Sequence, residues 1–455
     1  MRNPAPCLWP TRPLGGPKLV ALPVLIGVLA ITGCGDVGKS GGDEAAAASN
    51  EYVVERSFEN GIEAMRTVSG SRWGGNATLV EELSIGEEIG PEAYLFGSVT
   101  GAWATDDRIY LIDAQVPAVR AFDLHGRHLF DLGGPGQGPG EYGRPAAIAV
   151  TDDGRVMIAD STGARIIIYD GEGALIEDRP LRAPKSALGL VLSYDGEIYT
   201  QSWSLADERM GIQAVGPDGL TGEILFPPLI AYEPPTVSVG KGLAIPLPFA
   251  PAYSWVFAPG GEMVAGVGSE YRFEIHRPDG AALRVERSWA PVPVEAEEAA
   301  FRARIASNAM RMMSPGLGMS SADVLPNKPA FSGFYADRAG RVWVLRQGPG
   351  RPDPACIDAA SPPLLMATPA GTSVEIAGKF SSLAGDADED ECWADTFTFD
   401  LFDIVTGDFL GAIDAPDYGF RVPLFADNDT VLAAVMDEAG TVRLKQYRLQ
   451  IEKPE

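Results

Sequence analysis

The sequence predicts an all-β fold: six four-stranded meanders repeated around an axis, with a strand near the N-terminus completing the last of them. Three observations carry this. The stretch 104–176 holds one passage written twice, ATDDRIYLIDAQVPAVRAFDLHGRHL and then VTDDGRVMIADSTGARIIIYDGEGALI. Asp113, Phe122, Asp123 and Gly126 therefore recur 47 residues later as Asp160, Tyr169, Asp170 and Gly173. Each copy alternates apolar and polar residues in runs broken by polar and Gly turns, which describes an antiparallel meander and not a helix. Gly (53) and Pro (37) are both abundant in the 455 residues, as a chain with many tight turns requires.

Residues 1–33 read as an export signal. Arg2, Arg12 and Lys18 stand without any acidic residue, and Leu19–Ile31 (LVALPVLIGVLAI) is an apolar run too short for a comfortable permanent span. The run ends in Ile31-Thr32-Gly33-Cys34, which resembles the bacterial lipobox. That resemblance implies cleavage before Cys34, a lipid on its sulfur and attachment to a membrane of the cell envelope. The other reading is an ordinary cleaved signal with an incidental Cys34. Gly35 stands where the lipoproteins it resembles carry an aspartate for inner-membrane retention, which points to the outer membrane. The small, polar and acidic residues of 35–50 read as a flexible tether. The expected division is 1–33 signal peptide, 34–76 lipidated cysteine and tether, and 77–455 propeller.

The net charge is −26, and loss of Arg2, Arg12 and Lys18 with the signal takes it to −29. Such a surface excludes nucleic acid as a partner and suits a solvated monomer or one that associates with cations. Of four cysteines, Cys7 leaves with the signal and Cys34 takes the lipid, so Cys356 and Cys392 remain. In an oxidising compartment they are expected to form a disulfide, with a loop-closure contribution of about 3–4 kcal/mol.

In chain order, 77–86 alternates weakly and has no local partner, the mark of a strand that closes a ring. Inner strands are expected near Ala104, Val150, Leu192, Val256, Tyr335 and Phe425, each followed by hairpins at DG or GG turns. Two insertions interrupt the array. The stretch 295–313 (EAEEAAFRARIASNAMRMM) reads as a helix with an acidic first turn, within an insertion at about 295–325. The second, 349–392, is rich in Pro, Ala and Ser and carries Cys356. The last unit, 422–451, supplies three strands and lacks one.

Six units with a borrowed fourth strand describe the ring closure of a β-propeller. The words around Asp113 and Asp160, with the connector GGPGQGPGEYGRP (Gly133–Pro145), resemble six-bladed NHL-repeat-like propellers and bacterial propeller lipoproteins. A ring of seven or eight blades, with the 349–392 insertion as a blade of its own, is the alternative.

Few residues point to chemistry. The connector lacks the Gly-Lys-Ser/Thr ending of a phosphate loop, and His125, His128 and His276 lack metal-ligand spacing. The run Asp386, Asp388, Glu389, Asp390, Glu391 clusters hard oxygen ligands. Propellers resembling lactonases hold calcium in the central channel, so a calcium-dependent hydrolase is one reading and a solvated acidic cluster the other. Asp113 and Asp160 recur at equivalent places and are expected to be structural. For a binding module without cofactor, the rim residues Tyr142, Arg144, Phe249, Tyr253, Lys328 and Phe331 precede inner strands. They suit an anionic or carbohydrate-like ligand or a protein or peptide loop, or else they pack blade against blade.

Overall fold

The computed structural model describes residues 51–455 apart from 60, 182–188, 241–242, 314–315, 353–363, 368–372, 377–391, 417–419, 421–422, 438–439 and 452–455. Blades 1 to 6 occupy residues 99–132, 145–180, 190–225, 253–287, 333–414 and 425–451, and the chain is a six-bladed β-propeller. The described parts of the blade 5 insertion pair only in twos, Arg351–Pro352 with Trp393–Ala394 and Leu364–Ala367 with Ser373–Ile376, so they make no seventh blade.

Two-residue periodicity explains how one strand serves two cores. In Arg108–Asp113, Ile109 and Leu111 face blade 6, while Tyr110 and Ile112 face blade 2. In Arg341–Gln347, Val342 and Val344 join the core shared with blade 4, and Trp343 joins the one shared with blade 6. Both faces of these strands are therefore apolar, and the hydrophobic core is a set of wedges, one at each seam between blades. The wedge between blades 4 and 5 is the most extensive, with Phe273, Phe331, Phe402 and Phe409 among its aromatics. The seam between blades 3 and 4 is thin, with only Ile212, Phe257 and Met263 fully buried in its cluster. Blade 3 spends inward positions on Thr200, Ser202 and Ser204, which is why its repeat is hard to read.

The N-terminal segment corrects the expected tether. Residues 53–69 are not part of a flexible linker but form a hairpin of β1 (Val53–Glu59) and β2 (Ile62–Ser69). β2 runs parallel to Ala282–Arg287, the outer strand of blade 4, and buries Met65 opposite Val285. Met65 and Thr67, two residues apart, share its inward face as strand spacing requires, a signal that the polar composition of the preceding stretch masks. The chain then crosses blade 5, where the Arg72 and Trp73 amides donate to the carbonyls of Phe409 and Leu410 at 2.9 and 3.0 Å. Next, β3 (Ala77–Ile85) pairs antiparallel with Val442–Ile451 from Ala77 opposite Ile451 to Ile85 opposite Leu444, with a bulge at Glu81–Leu83. This is the closing strand expected over 77–86. Residues 51–85 thus form a belt around the rims of blades 4, 5 and 6.

Strand order gives the ring two unlike faces. The lower face carries the tight turns between first and second and between third and fourth strands, capped by aspartates. Asp123 accepts from the amides of His125 and Arg127, and Asp170 from those of Glu172 and Ala174, at 2.8–3.0 Å. The upper face carries the connections between blades and the loops between second and third strands. Three long insertions rise there: 226–252 after blade 3, 288–332 with α1 (Ala296–Met313) after blade 4, and 348–396 within blade 5. The first, with its hairpin of Thr236–Gly240 and Leu243–Pro246, was not expected from sequence.

Removing residues 1–50 should leave the melting transition unchanged, because the belt remains. Removal through Gly86 should lower the midpoint by roughly 10 °C or more and broaden it, since one blade loses a strand and two edges open. Matching sharp transitions for the two truncations would contradict closure by β3.

Candidate functional site

The six rim residues predicted from sequence do not form one surface. Tyr142 and Phe331 are fully buried, which corrects their assignment as ligand contacts. The Tyr142 hydroxyl donates to the Leu132 carbonyl and accepts from the Val119 amide at 3.0 Å, fastening blade 1 to the connector. In that connector Gly133 has φ +60, and a Cβ there would lie 2.2 Å from the Gly140 carbonyl oxygen, so the close crossing demands glycine. The Gly138 amide donates to Glu141 Oε2 and the Gly136 amide to the Tyr142 carbonyl, so these donors serve the turn itself. Phe331 packs on Tyr271, Phe273 and Phe334. Arg144 is exposed on the upper face. Tyr253 is half-buried, its hydroxyl donating to the Pro228 carbonyl at 2.6 Å, and burial raises its pKa.

Asp113 and Asp160 have the structural role expected of them. Asp113 accepts from the amides of Gly97, Ser98 and Gln115, and Asp160 from those of Gly143, Arg144 and Thr162, at 2.9–3.3 Å. Each clamps the chain as it turns into an inner strand.

Phe249 and Lys328 do come together, at the upper seam of blades 4 and 5. Lys328 Nζ lies 2.8 Å from Glu298 Oε1 of α1 and 3.1 Å from Asp395 Oδ1, and Arg302 Nη2 lies 2.9 Å from Asp395 Oδ2. The Lys328–Glu298 and Arg302–Asp395 contacts are ion pairs by distance, although their angles depart from directed hydrogen bonds. Lys328 and Glu298 are fully buried. The Phe249 ring faces both cations, 5.1 Å from Lys328 Nζ and 5.5 Å from Arg302 Cζ. Its backbone is held at φ +64, an uncommon conformation for a bulky residue. Two cations and two carboxylates balance here, so the cluster joins the insertion after blade 4, with its helix α1, to the blade 5 insertion.

A second cluster in the same seam escaped the sequence reading. Asp400, fully buried in the third strand of blade 5, accepts from Tyr271 Oη at 2.5 Å and from Arg287 Nη1. Arg346 Nη1 stands 3.4 and 3.5 Å from its two carboxylate oxygens. Burial, together with the Asp400 charge, pushes the Tyr271 phenol well above its ordinary pKa, so it stays a neutral donor. The signal was an aspartate at an inward position of FTFDLFD.

The lower mouth of the channel is covered. Arg338, in a lower turn of blade 5, donates from Nη1 to the Leu192 carbonyl of blade 3 at 3.1 Å, with Cζ 5.2 Å from the Trp103 ring of blade 1. Blades 1, 3 and 5 alternate around a six-membered ring, so a guanidinium that meets all three lies on the axis. Tyr194 flanks it at 6.0 Å.

Cys34, Cys356 and the acidic candidates Asp386, Asp388 and Asp390 lie outside the described residues. Cys392 is buried against Phe301 and Ile305 of α1. Among the described residues no three His, Cys, Asp or Glu side chains stand together as metal ligands. His128 pairs with Asp131 and His276 with Glu274, as turn and strand histidines.

The sequence profile of the DUF5128 family, described as a 6-bladed beta-propeller, matches residues 91–201. Among solved structures the chain is similar to a Bacteroides fragilis protein described as exported, at 11% identity and a TM-score of 0.42, over 82% of this chain and 96% of that one. A member of the duf4221 family from Bacteroides vulgatus matches at 9% and 0.43, over 83% and 99%. Virginiamycin B lyase from Staphylococcus aureus matches at 11% and 0.35, over 82% and 99%. No curated protein matches the chain.

Replacing Lys328 by Met should lower unfolding free energy by about 3–5 kcal/mol, because Glu298 keeps its buried charge and loses its nearest cation. The double variant K328M/E298Q should recover part of that loss. A urea midpoint for K328M equal to that of the unsubstituted protein would show that the pair is not a buried charge contact.

Proposed function

We propose that this chain is a lipid-anchored propeller of the cell envelope that acts as a binding module through its upper face. The observation that carries the reading is the placement of all three long insertions on that face, on or between consecutive blades 3, 4 and 5, while the lower face is kept to tight turns. Loops held on a rigid scaffold are where recognition residues concentrate. Exposed apolar side chains agree with it: Ile89 (87%), Leu205 (80%) and Leu229 (75%) all belong to upper connections or loops. Arg338 on the axis leaves the upper mouth as the approach to the channel.

The anchor is supported by the apolar run 19–31 and by Ile31–Cys34. A lipid on Cys34 would hold the folded body, whose first described strand is β1 (Val53–Glu59), at a membrane. The disulfide expected between Cys356 and Cys392 belongs to the same reading; it would close the long insertion on itself at Cys392, which packs against α1. The partner is a protein, a peptide or a carbohydrate-like ligand, and no cofactor is needed for such a role.

Photo-crosslinking in intact cells tests both parts. A photoreactive residue at Arg144, Leu205 or Glu208, on the upper face, should capture a partner in the membrane fraction, and one at Asp152 or Asp218, in lower turns, should not. Cys34→Ser should move the protein out of that fraction. Capture from the lower positions alone, or unchanged membrane partition of C34S, would contradict the reading.

A further inference from the structure

The two charged clusters at the upper seam of blades 4 and 5 differ in charge balance. In the inner one, Lys328 and Arg302 face Glu298 and Asp395, and the charges cancel. In the outer one, Arg287 and Arg346 share the single carboxylate of Asp400, and Tyr271 contributes a neutral hydroxyl. A positive charge is left over at a mostly buried place in a chain whose net charge is −26. One arginine suffices to neutralise a buried aspartate; a second there costs desolvation and gains only the longer contacts of 3.4 and 3.5 Å.

Geometry gives the excess charge a direction. A guanidinium carries five N–H donors, and one nitrogen from each arginine is directed at Asp400. Beyond Asp400 and the Tyr271 hydroxyl beside Arg287, the donors of Arg287 and Arg346 have no protein acceptor among the described residues, and each side chain is 23% exposed. Aromatic rings stand beside both groups. Arg287 Cζ lies 3.9 Å from the Phe409 centroid, and the Tyr271 ring lies 5.9 and 6.0 Å from the two Cζ atoms. Arg287 ends the fourth strand of blade 4, and Arg346 is the penultimate residue of the second strand of blade 5, so both stand at the upper ends of their strands. Two oriented guanidinium groups with unbonded edges match the paired oxygens of a carboxylate or phosphate. Their shared anchoring on Asp400 reduces the ordering cost of binding.

We propose that Arg287 and Arg346 form an oxyanion site that takes one carboxylate or phosphate group of a ligand bound on the upper face. The proposal deepens the binding reading above and rests on it for the choice of face. Asp400 is a positioning residue in this site: it holds the two arginines together and is covered from the ligand by them.

The test is calorimetric titration of the full chain with inorganic phosphate and, separately, with acetate at constant ionic strength. Saturable one-to-one binding of at least one anion is expected, weakened at least tenfold in R346Q and in R287Q and less in R346K. Arg155→Gln, in a lower turn of blade 2, should bind as the unsubstituted protein does. Arg287 packs on Phe409, so R287Q is read only if its melting transition is retained, and R346Q decides the matter. No saturable binding of either anion, or equal affinity in R346Q, would overturn the site. Capture by upper-face crosslinkers that persists alongside such a result would leave the binding face standing and remove only its anionic ligand.

Discussion

The pairing of Ala77–Ile85 with Val442–Ile451 is the contact on which the rest of the molecule depends. Each blade buries both of its faces against neighbours, so no blade has a core of its own and every wedge needs a blade on either side. An open ring would expose the faces of blades 1 and 6 at once, including Ile109, Leu111 and Phe122 on one side and Phe425, Leu432 and Leu444 on the other. It would also leave the Val442–Ile451 strand with an unpaired edge, a template for association. The belt adds a second fastening. By laying β2 against blade 4 and residues 72–73 against blade 5 before β3 reaches blade 6, the N-terminal segment links three consecutive blades through backbone hydrogen bonds.

Closure in this form separates the two faces. The lower side is built from short turns whose aspartates satisfy the backbone locally, and Arg338 fills its axis between Trp103 and Tyr194. The upper side accepts insertions without disturbing any strand pairing, because they begin and end at strand termini. The largest of them converge where the wedge between blades 4 and 5 is thickest. A seam with that much aromatic burial can carry the desolvation cost of two ionic clusters; the thin seam between blades 3 and 4 has no such reserve.

Architecture was legible in the sequence because its signals are local and periodic. The doubled passage around Asp113 and Asp160, the alternation of inner strands, the unpartnered 77–86 run and the Gly-free helix over 295–313 each depend on neighbours in the chain. The β1–β2 hairpin was lost because β1 is exposed along nearly its whole length, so its alternation buries little and resembles the polar sequence before it. The rim was read only in part. An aromatic ahead of an inner strand looks the same in sequence whether it faces a ligand, as assigned to Tyr142 and Phe331, or fills a seam, as both do. Asp400, Arg287 and Arg346 come from different blades, and nothing local shows that they meet.

Hydrogen exchange of the full chain tests closure most directly, residue by residue. If β3 completes blade 6, the amides of Ala77–Ile85 that pair with Val442–Ile451 should exchange as slowly as those of the central strands of blades 1 and 2, by global unfolding. Exchange of the β3 amides at the rate of an exposed terminus, with blades 1 and 2 still protected, would contradict a ring held shut by its N-terminal strand.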